Sequence, residues 1–260
     1  MLVQDSLFRK IKKQVGQAVG DFHLVEEGDR IAVAVSGGKD SYTLLHVLDA
    51  LRRRAPVCYE LVAVNVDAGF PGYRKELLAA HLEEHDFAYH LETTDCYQII
   101  EEKRRPGSSY CSFCARLRRG VLYTLADRLG CNKLALGHHL DDFVETLLLN
   151  QFYVGTLKAM SPKLLADNGR HTVIRPLVYV AEADIIEFAK RHAFPIICCA
   201  CPVYGRADQQ RQRMKRLVRE LEQEIPHLKR SMLRAMGNIQ PRHLLDRRNA
   251  CREVPEEDES

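Results

Sequence analysis

The sequence predicts an α/β fold, a parallel sheet of about five strands flanked by helices, with a helical appendage towards its C-terminal end. Three observations carry this expectation. Short, continuous apolar runs recur at residues 31–35, 61–66, 88–91, 133–136 and 173–174. Segments of helical period separate these runs. Beyond about residue 202 the runs stop, and basic, helix-rich sequence replaces them. Strands alternating with helices require right-handed parallel crossovers, and parallel strands buried on both faces read as unbroken apolar runs.

The elements follow in order. Residues 7–19 place Leu7, Phe8, Ile11, Val15 and Val19 on one helical face, with Lys10, Lys12 and Lys13 within the pattern. Residues 31–35 read as a buried strand that runs through a glycine turn into a helix bearing Leu44, Leu45, Val47, Leu48 and Leu51. Residues 61–66 form a second strand, 76–85 a helix and 88–91 a third strand. Residues 111–129 read as a helix, 133–136 as the fourth strand, 141–152 as a helix, 173–174 as the start of a fifth strand and 183–192 as a helix. The chain divides into an N-terminal amphipathic helix (1–24), a nucleotide-binding domain with a cysteine cluster (25–201), a basic helical region (202–250) and an acidic tail (251–260) expected to be disordered. A homodimer formed through the N-terminal helix is held as a hypothesis.

Composition excludes several classes. Nothing among the 260 residues is apolar for long enough to span a bilayer or to act as a secretory signal, so a cytosolic protein is expected. Net charge is only +3, but residues 103–119 carry six basic groups and no acid, and residues 206–219 carry six with only Asp208 opposing them. Such clusters suit a polyanion, although solvated helix faces also produce them. Nine cysteines in a cytosolic chain point to metal or redox chemistry rather than a disulfide framework. Cys58, Cys96, Cys131 and Cys251 are isolated and read as small core residues.

The turn after the first strand is Ser36-Gly37-Gly38-Lys39-Asp40-Ser41. Glycine lets backbone approach a ligand, and a helix N-terminus offers unpaired N–H groups to an anion. Ser36 and Ser41 supply hydroxyl donors, Lys39 a point charge, and Asp40 a ligand for Mg²⁺ that neutralises phosphate oxygens. A Walker loop would need glycine at position 33 and serine or threonine at position 40, where this chain has Val33 and Asp40. The motif instead resembles the SGGxDS loop of the PP-loop ATP pyrophosphatases, which release pyrophosphate as they adenylate a substrate. Two further segments fit that resemblance. Val66 ends the second strand, where related enzymes hold adenosine. Gly137-His138-His139-Leu140-Asp141-Asp142 is similar to the GHxxDD element of that superfamily. Asp141 and Asp142 are expected to orient substrate or Mg²⁺, or to cap the helix that follows, and the two roles are compatible.

Cys111 and Cys114 form a CxxC pair on one face at a helix start, where the helix terminus and nearby Arg116 and Arg118 favour thiolate. Cys198, Cys199 and Cys201 follow Pro195. Four thiolates would suit zinc and three a [4Fe-4S] cluster with one open iron, and composition leaves that choice open. The stretch 111–123, CSFCARLRRGVLY, closely resembles the CSxCxRLRRGxLY element of the tRNA cytidine(32) 2-sulfurtransferase family. Further similarity runs through residues 136–139, 174–177 and 194–197, so that the resemblance covers about residues 5–245. It implies a [4Fe-4S] cluster on Cys111, Cys114 and a third cysteine. Cys201 is the best match for the third ligand and Cys199 the next, in a stretch (198–205) that departs from the family's PCxLCGSQ-like pattern. It further implies ATP bound by Ser36 to Ser41 with Val66, Gly137 and Asp142, and catalytic roles for Asp40, Arg118 and Asp141. The implied reaction adenylates the C2 oxygen of an anticodon-loop cytidine, and sulfur that originates in a cysteine desulfurase then displaces AMP to leave 2-thiocytidine. Thiolases with terminal zinc-finger cysteine pairs fit less well, because no cysteine precedes Cys58. Two other readings share the nucleotide loop. One is a lysidine-synthetase-type tRNA ligase with structural zinc, and the other is a non-catalytic ATP-binding regulator.

Overall fold

The computed structural model describes residues 5–103, 110–166, 169–197 and 209–245, with backbone alone for 110–112. Its centre is a six-stranded sheet in the order β3-β2-β1-β4-β6-β5. The strands are β1 (Asp29–Ala34), β2 (Tyr59–Asp67), β3 (Tyr89–Thr93), β4 (Lys133–Ala135), β5 (Lys163–Leu165) and β6 (Thr172–Ile174). All pairings are parallel except β5 with β6, which is antiparallel. The five parallel strands correspond to the five apolar runs. β5 was not expected, because its Leu164 and Leu165 are exposed at the sheet edge and leave no buried-strand pattern.

The helices are α1 (Ser6–Asp21), α2 (Lys39–Arg52), α3 (Lys75–Glu84), α4 (Cys96–Lys103), α5 (Tyr110–Arg128), α6 (Leu140–Leu149), α7 (Glu182–Arg191), α8 (Gln209–Glu224) and α9 (Leu228–Gly237). The Asp5 carboxylate accepts the Leu7 N–H at 2.8 Å and starts α1. Phe8, Ile11, Val15 and Ala18 of α1 are buried in the principal core with β1, α2 and α7. The apolar face on which the homodimer hypothesis rested is therefore consumed within the chain. α2 is the central helix, with every residue from Ser41 to Asp49 buried. α6 stops earlier than the sequence pattern predicts and gives way to a wider π-helical turn, Asn150–Val154, ended by Gly155 at φ 72°. The basic appendage packs on α6 through Val144, Leu148, Met214 and Val218. No helix among the described residues is long and apolar enough to cross a membrane.

Cys96 and Cys131 are buried, as isolated cysteines were expected to be. Cys58 is exposed, which corrects that expectation, because it precedes β2 at the rim of the sheet where its backbone N–H bonds Glu27 at 2.8 Å. Cys251 and the acidic tail lie outside the described residues.

Candidate active site

The chain leaves β1 for β2 and β3 on one side and returns to β4 on the other. Between β1 and β4, the connections from the carboxyl ends therefore diverge to opposite sides. Such a switch point opens a crevice for ligands. The loop after β1 and the loop after β4 both emerge there.

Gly37 adopts φ +80°, a conformation L side chains rarely take. A Cβ on Gly37 would lie 2.9 Å from the Cβ of Ile197, and the Gly37 carbonyl accepts the Ile197 N–H at 2.9 Å. The segment leading into Cys198 is thereby clamped onto the phosphate loop. Gly38 is the N-cap of α2 and brings no capping side chain, so the first-turn N–H groups stay open to an anion. Ser36 N–H donates to Ser41 Oγ at 3.2 Å, and Ser41 Oγ–H donates to the Gly38 carbonyl at 2.8 Å. Gly137 follows β4, and a Cβ there would come within 3.2 Å of the Asp40 backbone. A side chain at this position would press on the start of α2, which would have to give by a few tenths of an ångström.

These elements border a cavity of about 620 Å³. Ser36, Gly38, Lys39 and Asp40 line one wall, and Val66 at the end of β2 lines another. Arg118 enters from α5, and Ile196 and Ile197 complete the rim. Lys39 Nζ sits 3.1 Å from Asp40 Oδ1 and 3.3 Å from Glu182 Oε1. Burial disfavours the lysine charge, but the two carboxylates outweigh it and hold the ammonium's pKa above its ordinary value. Glu182 is pulled down to about 2, because its pairing with Lys215 and Lys39 overcomes the opposing effect of burial. Asp40 Oδ1 is buried and accepts no hydrogen bond, its near neighbour being the Lys39 ammonium of the ion pair, and His138 Nδ1 is likewise buried without a hydrogen bond. A buried carboxylate oxygen that accepts no hydrogen bond is the kind of donor a hard cation and its waters would engage.

The two aspartates of the GHxxDD element have separate partners. Asp142 accepts the His139 N–H at 3.0 Å and forms a capping box on α6. Asp141 Oδ2 accepts the Glu182 N–H at 2.7 Å, and its Oδ1 pairs with Lys229 at 2.7 Å. Asp141 thus joins α6 to α7 and α9.

Cys114 is half-buried in the first turns of α5, one turn before Arg118, and packs with Phe113 and Leu117 against Phe70 and Ile100. Cys111 lies in the first turn of that helix, while Cys198, Cys199 and Cys201 lie outside the described residues. Phe113 and Tyr123 are partly buried and pack against core clusters.

Sequence reasoning missed Glu182, whose only signal was its place in an acidic first helical turn. It also read the basic residues of α8 as facing either a polyanion or solvent. Arg211 instead approaches Asp142 at 3.3 Å, and Lys215 pairs with Glu182 at 2.5 Å, so both close over the site. Arg213, Arg216 and Arg219 remain exposed.

Comparison with known proteins accords with this geometry. Residues 7–197 match the family described as the PP-loop domain. A tRNA-cytidine(32) 2-sulfurtransferase of Geobacter metallireducens is 69% identical over 255 residues, covering 97% of this chain and 99% of that protein. The protein of the same name from Geobacter sulfurreducens is 72% identical over 239 residues, covering 92% of this chain and 93% of its own. Among solved structures, the U34-tRNA thiolase NcsA from Methanococcus maripaludis with its [4Fe-4S] cluster aligns with a TM-score of 0.71 at 22% identity. The alignment covers 92% of this chain and 80% of that one, a likeness of fold.

Proposed function

The chain belongs to the tRNA-cytidine(32) 2-sulfurtransferase family of PP-loop enzymes, and from that membership we propose that it converts cytidine 32 of tRNA to 2-thiocytidine in an ATP-dependent reaction in the cytoplasm. One observation carries the reading. A single cavity is bounded by the phosphate loop, by Arg118 one helical turn after Cys114, and by Ile196 and Ile197 immediately before Cys198. In this reading nucleotide and base meet in that crevice, with the thiols supplied from its edge.

The open N–H groups of α2 and the Ser36 hydroxyl receive the phosphates of ATP, while Ser41 holds the loop in shape through the Gly38 carbonyl. Lys39, held charged, stabilises negative charge as pyrophosphate departs. Asp40 would hold Mg²⁺, which would supply positive charge to offset that of the phosphates. Val66 is the proposed apolar floor for adenosine, with Gly137 keeping the crevice narrow enough to grip it. Attack of the C2 oxygen of cytidine on the α-phosphorus turns a poor leaving group into AMP. A sulfur nucleophile then adds at C2, and the C–O bond to AMP breaks. Arg118, which lines the cavity, would polarise the adenylated base. Asp141 is reassigned in this proposal from catalysis to positioning, since both its oxygens are engaged with Glu182 N–H and Lys229.

Cys111, Cys114 and one cysteine of the 198–201 segment, Cys201 by the family pattern, would hold a [4Fe-4S] cluster. The half-buried thiol at the start of a helix, with Arg118 a turn away, fits a thiolate donor set. When bound, such a cluster supplies an open iron site for sulfur originating in a cysteine desulfurase. The exposed arginines of α8 would meet the backbone of the anticodon loop, whose unpaired bases can be extruded into a pocket.

The test is anaerobic purification, with iron, sulfide and zinc measured per chain, followed by nucleoside mass spectrometry of tRNA after incubation with ATP and a sulfur source. About four irons and four sulfides, lost in Cys114→Ala, together with ATP-dependent 2-thiocytidine, are expected. Stoichiometric zinc without iron, and no thiolated nucleoside, would overturn the reading in favour of a ligase.

A further inference from the structure

Behind the phosphate loop, on the side of α2 facing α3, three histidines that the proposed chemistry does not use come together. His46 lies on α2, His81 in the last turn of α3, and His85 just past its end. His46 and His81 are 4% and 7% exposed, and His85 is half-buried. One ring nitrogen from each residue lies within 4.8 Å of the other two. His46 Nε2 and His81 Nε2 are 2.9 Å apart. His85 Nδ1–H donates to the His81 carbonyl at 2.9 Å, which leaves Nε2 as that ring's lone-pair nitrogen. A backbone carbonyl fixing the tautomer in this way is the usual outer-shell support of a metal-binding imidazole.

We infer that His46, His81 and His85 form a binding site for a borderline divalent cation, Zn²⁺ above all, that ties α2 to the end of α3. Three chemical facts favour this occupant. The donors are all imidazoles, which suit Zn²⁺ and its neighbours and exclude Mg²⁺ and Ca²⁺. His81 and His85 have the i, i+4 spacing that sets two rings on one helix face, as in zinc-binding helices. The C-terminal end of α3 also places partial negative charge beside the cation.

The pocket walls are aromatic. Phe194 stacks on His46 with centroids 5.2 Å apart and rings 5° from parallel, Tyr42 meets His81 edge-on at 4.7 Å, and Phe87 lies parallel to His85 at 6.1 Å. Burial, helped by the neighbouring rings, pushes His46 down to about 3 and His81 to about 4. Both rings therefore favour the neutral form that binds metal, and the proton shared in the 2.9 Å Nε2–Nε2 hydrogen bond must shift to Nδ1 of its ring as the cation enters. Zinc–nitrogen bonds of about 2.0–2.1 Å set ligand nitrogens about 3.3 Å apart in a tetrahedron. The His46–His81 pair must therefore open by about 0.4 Å, and His85 must close by at most about 1.5 Å. His85 is the least buried of the three and the freest to move.

Cobalt(II) added to the full-length chain tests the site, because it separates histidine from cysteine ligation. Three imidazoles give visible ligand-field bands, whereas a cysteine site adds intense sulfur-to-cobalt charge transfer in the near ultraviolet. The wild-type chain is expected to develop the histidine bands at one cobalt per chain, to lose them when Zn²⁺ is added, and to melt at higher temperature with Zn²⁺. His85→Gln removes the least buried ligand with least risk to folding. It should weaken cobalt binding by more than about 100-fold, beyond the cost of losing an outer-shell partner, with unchanged circular dichroism. His46→Phe, which keeps the aromatic packing, should do the same. Charge-transfer bands alone in the wild type, or histidine bands and a zinc-dependent melting shift that persist in His85→Gln, would overturn the assignment.

Discussion

The clamp between the phosphate loop and the segment entering Cys198 gives the sharpest mutational prediction. Gly37→Ala meets two penalties. The backbone at φ +80° costs an L residue about 1–2 kcal/mol. The new Cβ would lie 2.9 Å from Ile197 Cβ and 3.0 Å from its Cδ1, an overlap of the kind that costs about 1–3 kcal/mol in a packed interior. The total, about 2–5 kcal/mol, corresponds to a loss of about 30- to 5,000-fold in kcat/KM for ATP if it falls wholly on the ATP-competent loop. Steady-state pyrophosphate release in the presence of tRNA measures this loss. Pairing the change with Ile197→Ala removes the overlap and leaves only the backbone term, so the double variant should recover to a deficit of about 5- to 30-fold. A Gly37→Ala enzyme with wild-type kcat/KM, or a double variant no better than the single one, would refute the account of the loop and its clamp.

Asp40→Asn removes the buried oxygen assigned to Mg²⁺ and should cut pyrophosphate release by at least about 100-fold, with tRNA binding in a filter assay unchanged. Glu145 is pushed up to about 7, chiefly by burial, with Arg211 opposing and Asp142 adding to the rise. Because the folded protein holds this proton more tightly than the unfolded chain, the stability it contributes is complete below about pH 4.5 and is lost as pH rises through about 7. Glu145→Gln should therefore gain stability over wild type at pH 8 but not at pH 4.5, by up to about 2–3 kcal/mol, read from urea midpoints at the two pH values. On α8, Arg216→Ala should lower the salt dependence of tRNA binding by about one unit of slope. Lys215→Ala should leave that slope nearly unchanged, since Lys215 is engaged with Glu182.

The sheet and its phosphate loop were legible in the sequence because their signals are local. Buried parallel strands must be apolar along their length, and a helix N-terminus that receives phosphate must begin with small residues and hydroxyls. The reading therefore located five of the six strands, and every residue from Ser36 to Ser41 lies at the turn where it was expected. Only the tertiary structure decided what lies far apart in the chain. The contact of Ile197 with Gly37, the pairing of Asp141 with α7 and α9, and the approach of His46 to His81 and His85 each join segments whose separation carries no periodic signature. Basic residues on α8 look alike in sequence, whether they face solvent or an acid, because charge patterning records the sign of a residue and not its partner. Burial of Glu182 beside Lys39 and Lys215 divided those residues between the site and the surface. That division follows from the packing of α8 on α6, which rests on apolar contacts too widely spaced along the chain to be paired from composition alone.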